Sequence, residues 1–329
     1  MSKTILVWLL ASFFLAPVAL AEAQQPGKLP RIILTRPEQS GSPVGEALIE
    51  AFRQGLRERG YVEGQNIALE ILWSGGGSSP IPRRLTDSTR PNVDVIVTSG
   101  TASTRAAQKA TSTIPIIMAN TGADPVAEGL VASFARPGGN ITGLTNMSID
   151  LAGKRLELLK ETAPKSSRVA VLVDPSRPRT TEVKEIEDAG HALRVQIQSP
   201  TVKGPDDFKD AFRSATKGRA DALMIVSGGV FNAHRALLIE LAAKSRLPAM
   251  YSEYEFVRAG GLMVYSSVLT EQYRRAAVFV DKILKGAKPA DLPVERPIKF
   301  ELIINLKTAK QIGLTIPPYV LGRADRVIR

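Results

Sequence analysis

Apolar and polar positions along this chain follow two rhythms, and the switches between them mark out its elements. Short runs rich in Val, Ile and Leu occur at 31–35, 66–73, 93–98 and 114–118. Runs of this kind suit strands buried on both faces of a parallel sheet. Between them lie segments with apolar residues three and four apart. Over 46–59, Leu48, Phe52 and Leu56 form one stripe, with Ala51 and Gly55 beside it, and Gly60 stands where a helix C-terminus wants a glycine. Further helices are expected at 81–90 and 101–110, and the glycine- and serine-rich 74–79 reads as a loop. The order βαβαβαβ predicts a parallel sheet wrapped by helices.

The rhythm breaks at 118–125 and in the Arg-Pro-Gly-Gly-Asn-Ile-Thr-Gly-Leu stretch at 136–144. Pro137, Gly138 and Gly139 cannot continue a helix, so the chain must turn. Residues 141–144 then read as a short extended crossing between two α/β halves, the alternative being a surface turn within one large domain. The second half repeats the scheme. Helices are predicted at 151–162 (Leu156 and Leu159 inward), 180–189, 205–215, 231–244 and 271–284, with strands at 168–173, 194–197, 222–226, 247–250, 261–265 and a last one at 297–304, before a short helix at 307–312.

Composition narrows the classes. With 329 residues, 44% hydrophobic and 23% charged, the chain is an ordinary globular one with room for two domains. It holds no cysteine, which excludes disulfides, thiolate nucleophiles, cysteine metal sites and a lipidated cysteine. Residues 1–23 read as a cleaved signal peptide: Lys3, an apolar run over 5–20, then the small-x-small sites Ala19-Leu20-Ala21 and Ala21-Glu22-Ala23. A membrane anchor is the alternative, but the run falls short of the roughly 20 apolar residues a span needs. A periplasmic location without a lipid anchor is expected. The net charge of +11 raises nucleic acid as a partner. Export and the scatter of Lys and Arg, with clusters no longer than Lys154-Arg155 and Arg274-Arg275, argue against it.

In parallel α/β sheets ligands bind beyond the carboxyl ends of the strands. The best-equipped end is Ser99-Gly100-Thr101-Ala102. There Gly100 allows close approach, Thr101 can cap the helix, and free amides attract an anion, a water-filled cap being the alternative. Asp124 either pairs with a ligand ammonium or makes an Asp-Pro turn; Glu253 is a second ammonium partner. Asp174 and Ser176, then Ser227 and Gly228, occupy equivalent ends in the second half. Phe231 and Tyr254 can stack on a ring or serve the core, and Trp73 can wall a cleft or pack. Catalytic groupings are thin: His191 and His234 are the only histidines, and the nucleophile-elbow, HExxH and Walker patterns do not occur. No cofactor and no metal are expected.

Many stretches together resemble one family. They include 52–56 (FRQGL), 60–66 (GYVEGQN), 113–116 (TIPI), Asp124-Pro125, 129–134 (GLVASF), 136–143 (RPGGNITG), 154–159 (KRLELL), 259–263 (AGGLM), 283–286 (ILKG), 289–293 (PADLP), 300–310 (FELIINLKTAK) and 313–318 (GLTIPP). The resemblance is to substrate-binding proteins of bacterial ABC transporters with the type I periplasmic-binding fold, in a group related to binders of tryptophan and other aromatic amino acids. It implies two Rossmann-like lobes with parallel sheets, joined by a multi-strand hinge. These are expected at 30–142 plus 268–296 and at 143–267 plus 297–329. It also implies a monomer that closes on a small organic solute and docks on a permease in the inner membrane. A ligand-sensing partner of a membrane receptor kinase and an exported enzyme are the competing functions; the latter requires His234 beside Ser227 or Glu253.

Overall fold

The computed structural model describes residues 29–37, 40–74, 92–146, 148–173, 181–226 and 228–329. The signal peptide at 1–23, the helix at 81–90 and the site candidates Asp174, Ser176 and Ser227 lie outside the described residues.

The first half builds a five-stranded parallel sheet in the order β2-β1-β3-β4-β5. Its strands are β1 (Arg31–Arg36), β2 (Ala68–Trp73), β3 (Val95–Ser99), β4 (Ile116–Asn120) and β5 (Ile141–Gly143), with helices α1 (Pro43–Arg57) and α2 (Thr101–Ala110) between them. The alternation of a strand explains why the middle of β1, Ile32 to Leu34, is apolar on both faces. Ile32 and Leu34 face a core with Phe52, Tyr273 and Phe279. Ile33 faces another core with Ala107, Met118 and Val131. Both faces are covered, as a parallel sheet requires.

The second sheet has seven strands, ordered β12-β11-β10-β9-β8-β6-β7. After α3 (Ala152–Thr162) come β6 (Arg168–Leu172), α4 (Thr181–Leu193), β7 (Gln196–Gln198), α5 (Phe208–Lys217) and β8 (Ala222–Ile225). Then follow α6 (Gly229–Ala233), α7 (Arg235–Lys244), β9 (Ala249–Tyr251), α8 (Tyr254–Arg258), β10 (Met263–Ser267), α9 (Leu269–Leu284), β11 (Phe300–Asn305), α10 (Leu306–Gln311), α11 (Pro318–Arg323) and β12 (Arg326–Ile328). All neighbours in this sheet are parallel except β10 and β11.

The chain changes sheet three times. Beyond Gly143 it leaves β5, and Leu144 bridges Glu295. Beyond β10 it returns, because α9 packs Tyr273, Ala276, Ala277 and Val280 against α1 and β1. Beyond Glu295 it crosses again to β11. These crossings bond to each other: Thr145 N donates to Glu295 O (3.0 Å), Glu295 N to Gly143 O (2.8 Å) and Val268 N to Lys299 O (3.2 Å).

Several elements differ from the sequence expectation. The 141–144 crossing is, up to Gly143, the edge strand of the first sheet. The helix expected over 231–244 breaks at His234, whose backbone (φ −111°, ψ 23°) leaves the helical region. The strand expected from Arg194 begins at Gln196, since Arg194 takes a positive φ of 56°. The strand at 297–304 starts only at Phe300 and is not the last, because β12 follows it.

Candidate functional site

The carboxyl ends of the first sheet carry a connected polar floor. Ser99, buried at the end of β3, accepts from Arg36 Nη1 (3.3 Å) and donates to Asn120 Oδ1 (3.3 Å) at the end of β4. Arg36 Nη1 also donates to the Tyr273 hydroxyl, which itself donates to Asn120 Oδ1 (3.3 Å), and the guanidinium lies 4.9 Å from the Tyr273 ring centre. These bonds hold the ends of β1, β3 and β4 and the start of α9 as one unit.

Above that floor begins α2. Its N-cap is Gly100, at φ 83°, and no side chain caps the helix. That departs from the expected capping by Thr101, which is already the first helical residue. Its Oγ1 instead shares a hydrogen bond with Thr121 Oγ1 (2.7 Å). The first amides of α2 are therefore left without a side-chain acceptor, and the helix dipole makes that position favourable for an anion. Ala102 is exposed beside it.

The first crossing joins this end to the second sheet. Thr145 Oγ1 and Asn146 N both donate to Thr121 O (3.0 and 2.8 Å). Gln272 Nε2 donates to Thr145 O (3.1 Å) and to Ser267 Oγ (3.3 Å). Further on stands Arg155, 2% exposed. It donates through Nε to Tyr265 O (2.8 Å), through Nη1 to Ser148 O (2.6 Å), and through Nη2 to Ser148 Oγ and Ser252 O (both 3.3 Å). Desolvation pushes its pKa down to about 10, opposed by the nearby charges of Glu182 and Glu253. It therefore remains a cation at neutral pH. One buried side chain thus fastens the segment after the first crossing, the end of β9 and the middle of β10 together.

The other expected site residues fall in different settings. Asp124 is exposed, and its Oδ1 accepts from Val126 N (2.8 Å) and Ala127 N (3.4 Å), which is the turn alternative. Trp73 packs against α1, where a Cβ on Gly45 would lie 2.7 Å from its ring. Gly228, buried and extended, is the N-cap of α6. Phe231 is fully buried between Phe208 (ring centres 6.3 Å apart) and its neighbours, so it offers no surface to a ligand here. Tyr254 sits under Arg326 at the β12 edge and accepts from its Nη1 (3.0 Å). The two aromatic rings are not brought together: they belong to separate apolar clusters. Glu253 occupies the N-cap position of α8 after β9 without a side-chain capping bond, and its charge acts on Arg155.

His191 is exposed in the last turn of α4, and His234 meets the Phe208 ring edge-on at 5.8 Å. Among the described residues no three His, Asp or Glu side chains gather as a metal site, and no helix is long and apolar enough to cross a membrane. Shallow depressions of about 500 and 490 Å³ flank β7, lined by Lys203, Asp207 and Asp210 in one and by Glu187, His191 and Arg194 in the other.

Two sheets of this topology, with polar strand ends linked by three crossings, define a bilobal α/β binding architecture. The family model for "ABC transporter substrate binding protein" matches residues 43–328, and the chain belongs to that family. It is 26% identical over 267 residues to a tyrosine-binding protein of Clostridioides difficile, covering 80% of this chain and 76% of the relative. Two solved structures share the fold, each at 24% identity and each covering 91% of this chain and 100% of the other. One is a conserved domain protein of Vibrio cholerae (TM-score 0.82). The other is an ABC domain in complex with L-Trp from Streptococcus pneumoniae (TM-score 0.81).

Proposed function

We propose that the chain is the exported solute receptor of an ABC importer. It captures an amino acid or a similar carboxylate between lobes formed by 30–142 plus 268–296 and by 143–267 plus 297–329. The observation that carries this is the start of α2: Gly100 in the left-handed region, amides with no side-chain cap, and the Thr101–Thr121 hydroxyl pair alongside. A carboxylate there gains charge-assisted hydrogen bonds of about 1.5–3 kcal/mol each. A few of these, with desolvation on closure, approach the roughly 8 kcal/mol of micromolar binding. Glu253, at the end of β9, supplies the counter-charge for an ammonium. The relatives that bind tyrosine and L-Trp favour an aromatic side chain between the two polar ends. The family supports delivery to a permease in the inner membrane, and in this reading the solute leaves unchanged.

The test is a thermal-shift and calorimetry screen of L-tyrosine, L-tryptophan, L-phenylalanine and their D forms. Saturation at about 100 times Kd is expected to stabilise the protein by about 2.7 kcal/mol, with mass spectrometry recovering the solute intact. No stabilisation at millimolar concentration by these solutes or by the remaining common amino acids screened alongside them, or turnover of the bound solute, would sink the proposal.

A further inference from the structure

The crossings carry one buried side chain whose hydrogen bonding is incomplete. Gln272 lies in the first turn of α9, where the chain has just left β10, and it is 3% exposed. Both of its donated bonds go to crossing residues, one to Thr145 O on the first and one to Ser267 Oγ at the start of the second. Its Oε1 is buried and no donor of the protein reaches it. A buried acceptor without a donor disfavours the arrangement that holds it. The same carboxamide therefore both fastens these two crossings and penalises the lobe angle at which it does so.

We propose that Gln272 is the pin of the hinge, a positioning residue that sets the balance between two lobe angles in the empty receptor. In the alternative angle Oε1 gains a donor, from backbone or water, and the bonds to Thr145 and Ser267 are exchanged. A solute that bridges the lobes has only to outweigh this small local bias. The inference rests on the receptor reading for the existence of moving lobes, but not on the identity of the solute. Asn232 provides the contrast. Its Oδ1 is also buried without a protein donor, yet it lies in α6 in the second half and is not a crossing residue.

The chain has no cysteine, so two introduced cysteines can be spin-labelled without background. Lys109→Cys on α2 and Arg213→Cys on α5 are exposed positions on the two sides. Interlobe distances are measured by double electron–electron resonance on the full mature chain, empty and with 1 mM L-tyrosine as the probe (~1 mM, the weak end of solute binding). Gln272→Glu sets a carboxylate against Thr145 O and is expected to change the ratio of the two distance populations at least about fivefold in the empty protein. Gln272→Met, which keeps the volume but has neither donor nor acceptor, is expected to broaden the distribution. Asn232→Leu is expected to alter melting temperature and leave the distances alone. Should either Gln272 variant fail to fold, Ser267→Ala removes one of the two bonds and is expected to broaden the distribution in the same way. Distance distributions of the folded variants that superimpose on the parent's overturn the pin and leave the receptor intact. A parent with one narrow distance, with and without the probe and with binding shown by calorimetry, overturns the pin and the moving lobes together.

Discussion

At the scale of single residues, the polar groups that matter most stand where apolar strands stop. Arg36 ends a strand whose preceding positions are Ile32, Ile33, Leu34 and Thr35, and Asn120 ends β4 in the same way. Neither was marked out by the sequence pattern, because a polar residue just past an apolar run can as well face solvent. Only the meeting of β1, β3, β4 and α9 pairs these two. Arg155 was not legible. Next to Lys154 it reads as a second exposed helix cation, and only the return of β9 and β10 surrounds it with carbonyls. Replacing it by Met removes a donor from each of Ser148 O, Ser252 O and Tyr265 O and a nearby cation from Glu182. The expected loss is about 3–5 kcal/mol of stability by urea unfolding, with Arg155→Lys rescuing little because an ammonium lacks the fork that reaches three segments. Gly100→Ala is a milder test. A Cβ there meets no atom within 4 Å, so the cost is the backbone alone, whose φ 83° and ψ 161° are essentially reserved for glycine, about 1–3 kcal/mol, read by the same unfolding curve. If the solute's carboxylate sits at α2, solute affinity should fall with it.

At the scale of elements, most helices and strands were readable from period alone, and the misses share a cause. The break at His234 and the positive φ of Arg194 are imposed by packing around Phe208 and β7, not by a local breaker. β12 carries a three-residue signal, and it is a strand only because β11 offers it an edge. The return of α9 to the first sheet shows how small residues decide packing. A Cβ on Gly55 would sit 2.3 Å from Arg274 O and 2.9 Å from the Ala277 Cβ. Gly55→Ala should therefore separate α1 from α9 and cost about 3 kcal/mol, seen as a lowered denaturation midpoint, although alanine favours helices in general. The same two helices are joined at the surface by Arg274 Nη2 and Glu58 Oε1 (2.7 Å). The hydrogen bond from Arg274 lowers the Glu58 pKa below its ordinary 4.5. A lowered carboxylate pKa stabilises above the unfolded value, and the benefit is lost as pH falls through the folded one. The stability difference between parent and Glu58→Gln should thus be present at neutral pH and vanish in acid. High salt should shrink it too, because the pair is exposed.

At the scale of the whole molecule, two halves of similar make-up were foreseeable from the repeated βα rhythm, and the return of a late helix to the first half, expected within 268–296, is what α9 does. Removing residues 324–329 deletes β12 and with it Asp325, whose Oδ2 accepts from Leu302 N (2.8 Å). The edge of β11 is then bare, and melting should fall by roughly 5–10 °C in calorimetry, with solute affinity nearly unchanged because the strand lies at the far edge of its sheet.

The threading of α9 has a consequence for how the molecule is born. The first sheet takes its covering helix from residues 269–284, so its apolar face stays bare until most of the polypeptide has left the ribosome. The second sheet in turn waits for its last strands. A nascent chain that cannot finish either half early remains open for longer, and native pairings between distant residues form slowly. If the chain is exported as an extended thread, as proposed, that delay leaves time for delivery before collapse.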